Sequence, residues 1–307
     1  MTLRNEHWEV DVLPGVGATL AAGRIRTADG AWRDLLRPMP TAARGNPERG
    51  ASFPMLPWSN RIAAGELSFG GQTWQLQRNG ADGTAIHGAV RHAVWTMTDV
   101  ADDSITLELS SSTQVGINFP WHFRAQITYA LVDTSLVVTT TLENADVDPF
   151  PAGFGHHPYF QRTLAPVDGR TDADAQPVLH VPARRGYTLS DGIAAGPAGR
   201  VPARADFRTP RAIGTAFVDD VLTDLTGPMR ISYGPQEGGP VEVELSSDPA
   251  LSHVVVYVPR RRGYFAVEPV THVNGGFALH AAGVEGTGVF VLEPGAARTA
   301  GFTIAFS

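Results

Sequence analysis

Three observations on the 307-residue sequence predict an all-β fold. Apolar and polar residues alternate with a period of two in several segments, as they do in strands with one buried face. Turn-forming pairs such as Asp29-Gly30, Gly70-Gly71 and Asp82-Gly83 interrupt the chain about every ten residues. No segment has the period of a long amphipathic helix. We therefore expect short antiparallel strands packed as a sandwich or a barrel.

The alternation places the strands along the chain. Strands are predicted at 105–109, 123–131, 134–144, 241–245, 253–258, 288–292 and 300–306. The run 253–258 is almost continuously apolar, which indicates a strand buried on both faces. Between 165 and 210 the alternation is weak, and we expect a long excursion with short strands. Because strand material continues on both sides of this excursion, residues 1–307 are predicted to form one domain.

The composition excludes several classes of protein. A formal net charge of −7 argues against a general nucleic-acid binder, and no apolar run is long enough to cross a membrane. The first residues lack the apolar core of a secretory signal, so a cytoplasmic location is expected. There is no cysteine, which removes thiol nucleophiles and thiolate metal sites. All 24 basic side chains are arginine, which excludes Schiff-base enzymes and P-loop NTPases, since both need a lysine.

Two clusters in the first third of the chain carry candidate binding residues. Arg61 follows a rigid segment with two prolines, 53–60, and its planar guanidinium suits a site that holds hydroxyls or an anion in fixed geometry. An ordinary ion pair at a surface turn is the alternative for Arg61. His87 precedes a glycine after a loop, where it can bind a substrate or anchor the loop. His92 lies five residues further on, a spacing that does not indicate a metal pair.

Two later clusters carry candidate acid–base residues. His156 and His157 precede a Pro-Tyr-Phe sequence, and a histidine can exchange a proton near neutral pH. Glu268 lies at the end of an apolar run, just before a proline, where burial would raise the pKa of its carboxyl group. The alternatives are a pair of structural histidines and a surface glutamate at a strand end.

The order of these clusters is more specific than any one of them. The landmarks, in chain order, are Asn-Arg-Ile with Arg61, His-Gly with His87, Gly-His-His-Pro-Tyr-Phe with His157, Asp-Asp-x-Leu with Asp219, Glu-Pro-x-Thr with Glu268, and a final Leu-Glu-Pro-Gly. In this order, and over nearly the whole chain, the sequence resembles the aldose 1-epimerase (galactose mutarotase-like) family.

The resemblance implies a large antiparallel β-sandwich with an open sugar cleft, and a role for each of five residues. Glu268 matches the general base that takes the proton of the anomeric hydroxyl, and His157 matches the general acid that protonates the ring oxygen. His87 matches a histidine on the ring-oxygen side, Arg61 an arginine that binds hydroxyls, and Asp219 an aspartate that binds hydroxyls further round the ring. The reaction needs no metal or other cofactor, the partner is a small-molecule sugar, and we expect a monomer or a homodimer.

Two of these matches have a close neighbour as an alternative. Asp220 adjoins Asp219, so a shift of one place would exchange them. His156 adjoins His157, and adjacent residues of a strand point to opposite faces, so only one of the two can enter a given pocket. The family motif and this alternation favour His157.

The substrate and the reaction class also have alternatives. Members of the family act on free hexoses, hexose 6-phosphates and sulfonated sugars, and the run 260–262 of three arginines could hold an anionic group, although such runs are mostly solvated loops. The aromatic segment 119–123 and Pro158 depart from the galactose enzymes and bear on the choice of sugar. A non-catalytic sugar-binding protein would not need both Glu268 and His157. A metal-dependent β-barrel isomerase would need a His-x-His cluster that the sequence lacks.

Overall fold

The computed structural model describes residues 1–165, 172–235 and 239–307, and strands dominate them. The larger sheet, sheet A, has eleven strands among these residues. Its main path runs through β1 (Thr2–Arg4), β2 (Trp8–Leu13), β3 (Thr19–Arg26), β4 (Trp32–Leu36), β16 (Tyr159–Gln161), β26 (Tyr264–Val270), β25 (His253–Val258), β22 (Val218–Leu225) and β18 (Ala183–Gly186). Off this path, β15 (Gly155–His156) pairs with β26 and with β5 (Pro54–Met55).

The second sheet, sheet B, has nine strands in the described part of the chain. Its order is β10 (Thr96–Val100), β11 (Ser104–Ser110), β12 (Phe123–Val132), β13 (Ser135–Asn144), β28 (Ala297–Phe306), β24 (Val241–Ser247), β23 (Met229–Tyr233), β17 (Val178–His180) and β21 (Arg211–Ala212). The long central hairpin β12–β13 is antiparallel and in continuous register. Two large antiparallel sheets of this kind form a β-sandwich.

The main core lies between the two sheets. Trp8 of β2 meets Phe306 of β28 edge to face, with ring centroids 5.8 Å apart. Tyr129 of β12 donates its hydroxyl to the carbonyl of Ala18, just before β3, at 2.8 Å. Along β12 every second residue is buried, as the alternation predicts. Each large apolar side chain buried here stabilises the fold by roughly 1.5–3 kcal/mol, so this layer sets the position of sheet A and everything on its other face.

Short elements lie around the sheets. Four two-stranded pairs occur among the described residues: β6 (Arg61–Ile62) with β9 (Ala85–Ile86), β7 (Glu66–Phe69) with β8 (Gln72–Gln75), β14 (Phe150–Ala152) with β27 (Phe290–Leu292), and β19 (Leu189–Ser190) with β20 (Ile193–Ala194). The described helices are α1 (Gly276–Ala281) and short 3-10 turns at Thr41–Ala43, Pro47–Arg49, Ala63–Gly65, Ser111–Thr113 and Ala203–Ala205. None of these helices has the length and apolar character needed to cross a membrane.

The predicted all-β fold and its strands are confirmed. The predicted segments correspond, in order, to β11, β12, β13, β24, β25, β27 and β28. Strand β25 is buried on both faces, as its continuous apolar run indicated. Strand β27 begins at Phe290 rather than at Gly288, whose φ of +78° is not an extended conformation. The excursion from 165 to 210 contains the short strands β17 to β20, and its residues 166–171 lie outside the described residues. The single domain stays a prediction.

Candidate active site

Glu268 lies near the middle of sheet A, on the face turned away from sheet B. Strand alternation turns Phe265 and Val267 of β26 into the core between the sheets. Ala266 and Val270 point to the opposite face, together with Glu268, and belong to a second apolar cluster there. We call this the site face of sheet A. Glu268 is 1% exposed, and its Oε2 has no hydrogen-bond partner among the described residues. A carboxyl group is therefore buried with one oxygen unpaired.

His157 contacts this carboxyl group directly. It follows β15 and precedes Pro158, and its Nε2 lies 3.1 Å from Glu268 Oε1. The rings of Phe53 and Tyr159 pack against its imidazole, with centroids 5.0 and 4.2 Å away. Two large aromatic neighbours restrict the rotation of the imidazole, so its Nε2 is held toward Glu268.

The neighbouring His156 points the other way. Its Nε2 lies 2.8 Å from the hydroxyl of Thr140 on β13, and its ring lies near Tyr129 and Phe302 in the core between the sheets. The structure thus brings His157, and not His156, to Glu268.

His87 lies beside His157. The loop turns sharply after β9, and His87 has a φ of +65°, a conformation that few residues other than glycine adopt. Its backbone N–H donates to the carbonyl of Asn60 at 2.8 Å, which ties this turn to the Arg61 segment. The imidazole meets His157 edge to face, with centroids 5.4 Å apart, and contacts Phe53 at 5.3 Å.

Arg61 is held by three side chains. Its Nε donates to Asp82 at 2.9 Å, its Nη1 to Asn60 at 2.9 Å, and its Nη2 to Asp219 at 3.4 Å. Gly192, at the tip of the hairpin β19–β20, lies so close that an added Cβ would be 3.1 Å from Arg61 Nε. The guanidinium is therefore fixed in place on the site face.

Adjacent aspartates of β22 occupy opposite faces. Asp219 pairs with Arg61, whereas Asp220 is fully buried and accepts hydrogen bonds from Arg204 at 2.6 and 2.8 Å. The structure brings Asp219 into the cluster and leaves Asp220 outside it.

Burial dominates the electrostatics of the cluster. It raises the pKa of Glu268 well above its usual range, and the nearby charge of Asp219 adds to this shift. It lowers the pKa of His157 well below its usual range, and the neighbouring His87 adds to that. Burial also raises the pKa of Asp219, while Arg61 opposes the rise. Because Glu268 and His157 both favour their neutral forms, the pair has no net charge and carries one proton that the two groups can exchange, on the Glu268 carboxyl group.

Two other sequence features can now be placed. The arginine run 260–262 lies in an exposed turn between β25 and β26, and it forms no ion pair with any residue the structure describes. The run is therefore a solvated loop, as most runs of charged residues are. In the described ranges, no group of three or more His, Cys, Asp or Glu side chains is arranged to hold a metal ion.

Comparison with known proteins decides the family. The family model described as aldose 1-epimerase matches residues 1–305. The chain belongs to the aldose 1-epimerase family. Membership and fold together support a sugar mutarotase or epimerase in general terms.

Individual relatives of this family member are distant from it in sequence and similar to it in fold. The uncharacterized protein YphB of Escherichia coli K12 is 28% identical over 255 residues, which are 80% of this chain and 81% of that protein. A galactose mutarotase-like protein from Clostridium acetobutylicum superimposes with a TM-score of 0.83 at 15% identity, over 100% of this chain and 94% of its own. A GalM/aldose epimerase homologue from C. elegans superimposes with a TM-score of 0.81 at 17% identity, over 100% of this chain and 98% of its own. At these identities the solved structures show the fold, which is that of the galactose mutarotase-like sandwich.

Sequence reasoning missed the residues that support the cluster. Phe53 and Tyr159 lie in segments that the motifs had singled out, but their packing against His157 has no sequence signal. Arg37 is buried, with its guanidinium 3.6 Å from the centroid of the Tyr159 ring, and nothing in its surroundings along the chain marks it. Glu48 contacts His87 from 39 positions away and looks like any surface glutamate.

Proposed function

We propose that the chain is a mutarotase that interconverts the α and β anomers of an aldohexose by opening and reclosing the hemiacetal ring. The observation that carries the proposal is the buried contact of His157 Nε2 with Glu268 Oε1 at 3.1 Å. Mutarotation needs a base at O1 and an acid at the ring oxygen O5, two atoms bonded to the same carbon. A carboxyl group and an imidazole in contact can serve both atoms at once.

The free pair favours the neutral forms, so ring opening starts after the shared proton has moved from Glu268 to His157 across their 3.1 Å contact. The Glu268 carboxylate takes the proton of the O1 hydroxyl, and Oε2, which has no other partner among the described residues, is free to do so. His157 gives its proton to O5 as the C1–O5 bond breaks. The products are an open-chain aldehyde, a protonated Glu268 and a neutral His157.

Reclosure runs the same steps backward after rotation about the C1–C2 bond. His157 takes the proton of the C5 hydroxyl as this oxygen attacks the other face of the aldehyde, and Glu268 returns a proton to O1. The proton count of the pair is the same before and after the cycle. The pKa directions of both groups favour protonated Glu268 with neutral His157, which is the form that meets the open-chain aldehyde.

The remaining cluster residues would hold the sugar while C1 turns. Arg61 and Asp219 form a fixed donor and acceptor pair for hydroxyls remote from C1, and His87 lies on the ring-oxygen side next to His157. Because Asp82 and Asn60 already anchor Arg61, its side chain loses little conformational freedom when a sugar binds, which favours affinity.

The test is polarimetry of freshly dissolved α-glucose and α-galactose at neutral pH and low ionic strength. We expect the wild type to speed the approach to equilibrium, and Glu268→Gln to lower kcat by about 10²–10⁴-fold, the range of one general base. Glu285→Gln, a matched change of an exposed glutamate, should match the wild type.

The remaining outcomes separate the alternatives. Acceleration that survives Glu268→Gln would refute the role of Glu268. If neutral hexoses are untouched, exchange NMR with hexose 6-phosphates and sulfonated hexoses tests an anionic substrate. Failure with all of these sugars would reject the mutarotase and favour a carbohydrate-binding protein.

A further inference from the structure

Glu48 links the His87 loop to a separate turn of the chain. It lies in the 3-10 turn Pro47–Arg49, and its Oε1 accepts a hydrogen bond from Arg91 Nη1. The same Oε1 lies 3.5 Å from Nδ1 of His87. This Nδ1 is buried, and no described residue meets it in hydrogen-bond geometry, so the 3.5 Å approach of Glu48 is a charge contact. The carboxylate is thus held by Arg91 on one side and faces the imidazole on the other.

The contact with Glu48 determines which nitrogen of His87 carries a proton. Burial lowers the pKa of His87, although Glu48 opposes this, so the ring is neutral and carries one proton. A carboxylate accepts hydrogen bonds and cannot donate them, and the contact with His87 and the charge of Arg91 hold the pKa of Glu48 at about 2. The Glu48 carboxylate therefore favours the tautomer with the proton on Nδ1, between the ring and Glu48. The other charged or titratable groups that act on His87 are Arg61, Arg91, His157 and Asp219.

We propose that Glu48 is a positioning residue that fixes His87 in the Nδ1–H tautomer, so that Nε2 accepts a hydrogen bond from a sugar hydroxyl. The ring oxygen of a sugar carries no hydrogen, so it cannot pair with a bare Nε2. His87 then binds a hydroxyl on that side of the sugar, and the ring oxygen is left to His157. The part of this inference that concerns the sugar rests on the proposed function, and the tautomer does not.

The tautomer can be measured without any substrate. Long-range ¹⁵N–¹H NMR correlations distinguish the two protonated forms of a histidine ring, and the spectrum of His87→Gln identifies the His87 signals by their loss. We expect Nδ1–H in the wild type, and a shift of the His87 proton toward Nε2 in Glu48→Ala. Glu143→Ala, which removes a half-buried glutamate from another ion pair, should leave the His87 signals unchanged. An Nε2–H signal from wild-type His87 overturns the proposal without any variant, and so does an unchanged tautomer in Glu48→Ala.

Kinetics test the consequence for the sugar. Loss of a hydrogen bond made equally in the ground and transition states raises KM and leaves kcat alone. We expect Glu48→Ala to raise KM about tenfold, the size of one hydrogen bond, and to change kcat by less than about twofold. A fall in kcat at constant KM contradicts the assignment of Nε2 as a hydroxyl acceptor. If the wild type turns over no sugar, the proposed function fails, and the NMR measurement still decides the role of Glu48.

Discussion

Three buried histidines should make the stability of this fold depend on pH. His156, His253 and His272 are each at most 2% exposed, and burial lowers their pKa values to about 3, about 4 and about 4. In the unfolded chain each has the ordinary pKa of about 6.5. Below that value the unfolded state binds protons that the folded state does not. The free energy of unfolding therefore falls as the pH falls from about 6.5 toward the folded pKa values.

The size of the effect follows from these pKa values. At pH 5 the unfolded state gains about 2 kcal/mol from protonating each of the three histidines, at 1.36 kcal/mol per pKa unit. Their sum of about 6 kcal/mol is a large part of the 5–15 kcal/mol typical of a domain. Glu268 acts in the opposite sense, because an acid with a raised pKa loses stability as the pH rises. The lowered pKa values of His157 and His87 add to the loss at acid pH. Because the net change combines groups that act in both senses, one histidine is best isolated by mutation.

His156→Gln isolates one of these contributions outside the proposed site. Its amide can still reach the hydroxyl of Thr140, and it does not titrate. Urea unfolding at pH 7 and pH 5, followed by tryptophan fluorescence, gives the loss of unfolding free energy for each protein. We expect the wild type to lose about 2 kcal/mol more than His156→Gln, whereas His122→Gln, at an exposed position, should lose as much as the wild type. Equal losses in wild type and His156→Gln would show that burial of His156 does not depress its pKa.

Two further experiments test the geometry around Arg61. Gly192→Ala should raise KM for the sugar several-fold, because the added Cβ would press on the guanidinium of Arg61. Gly30 has a similar positive φ but open space around it. Gly30→Ala should therefore cause a similar backbone strain of roughly 1–2 kcal/mol and leave KM unchanged. Asp219→Asn should raise KM with little change in melting temperature, and Asp220→Asn should lower the unfolding free energy by roughly 1–3 kcal/mol with unchanged KM. Steady-state kinetics and thermal melts of these four variants check both expectations, and interchanged effects of the two aspartates would refute the assignment of faces.

Local pattern was enough to predict most of the fold. Segments such as 123–131 alternate strictly because one face of the strand packs against the opposing sheet and the opposite face is more exposed. Apolar residues are therefore selected at every second position. The same alternation predicted that His156 and His157 point to opposite faces, and the family motif chose His157 of the two. For Asp219 and Asp220 the alternation does not say which of the two faces the site, and only the pairing of Asp219 with Arg61 distinguishes them.

The support of the cluster could not be predicted in this way. Glu48 and His87 are 39 residues apart, and their contact depends on how a 3-10 turn and a loop with positive φ come together in space. Phe53 and Tyr159 are aromatic residues in largely apolar segments, and no sequence periodicity predicts that their rings pack against the imidazole of His157. Contacts of this kind are decided by packing between segments, which leaves no local pattern.

The pair of Asp220 with Arg204 also bears on strand register. A slip of β22 by one residue against β25 would exchange the faces of its two aspartates, turning Asp219 away from Arg61. The same slip would remove Asp220 from the two hydrogen bonds that it accepts from Arg204. The ion pair between the exposed Arg204 and the buried Asp220, on the face of β22 opposite to the site face, therefore disfavours misregistered β22 and keeps Asp219 beside Arg61.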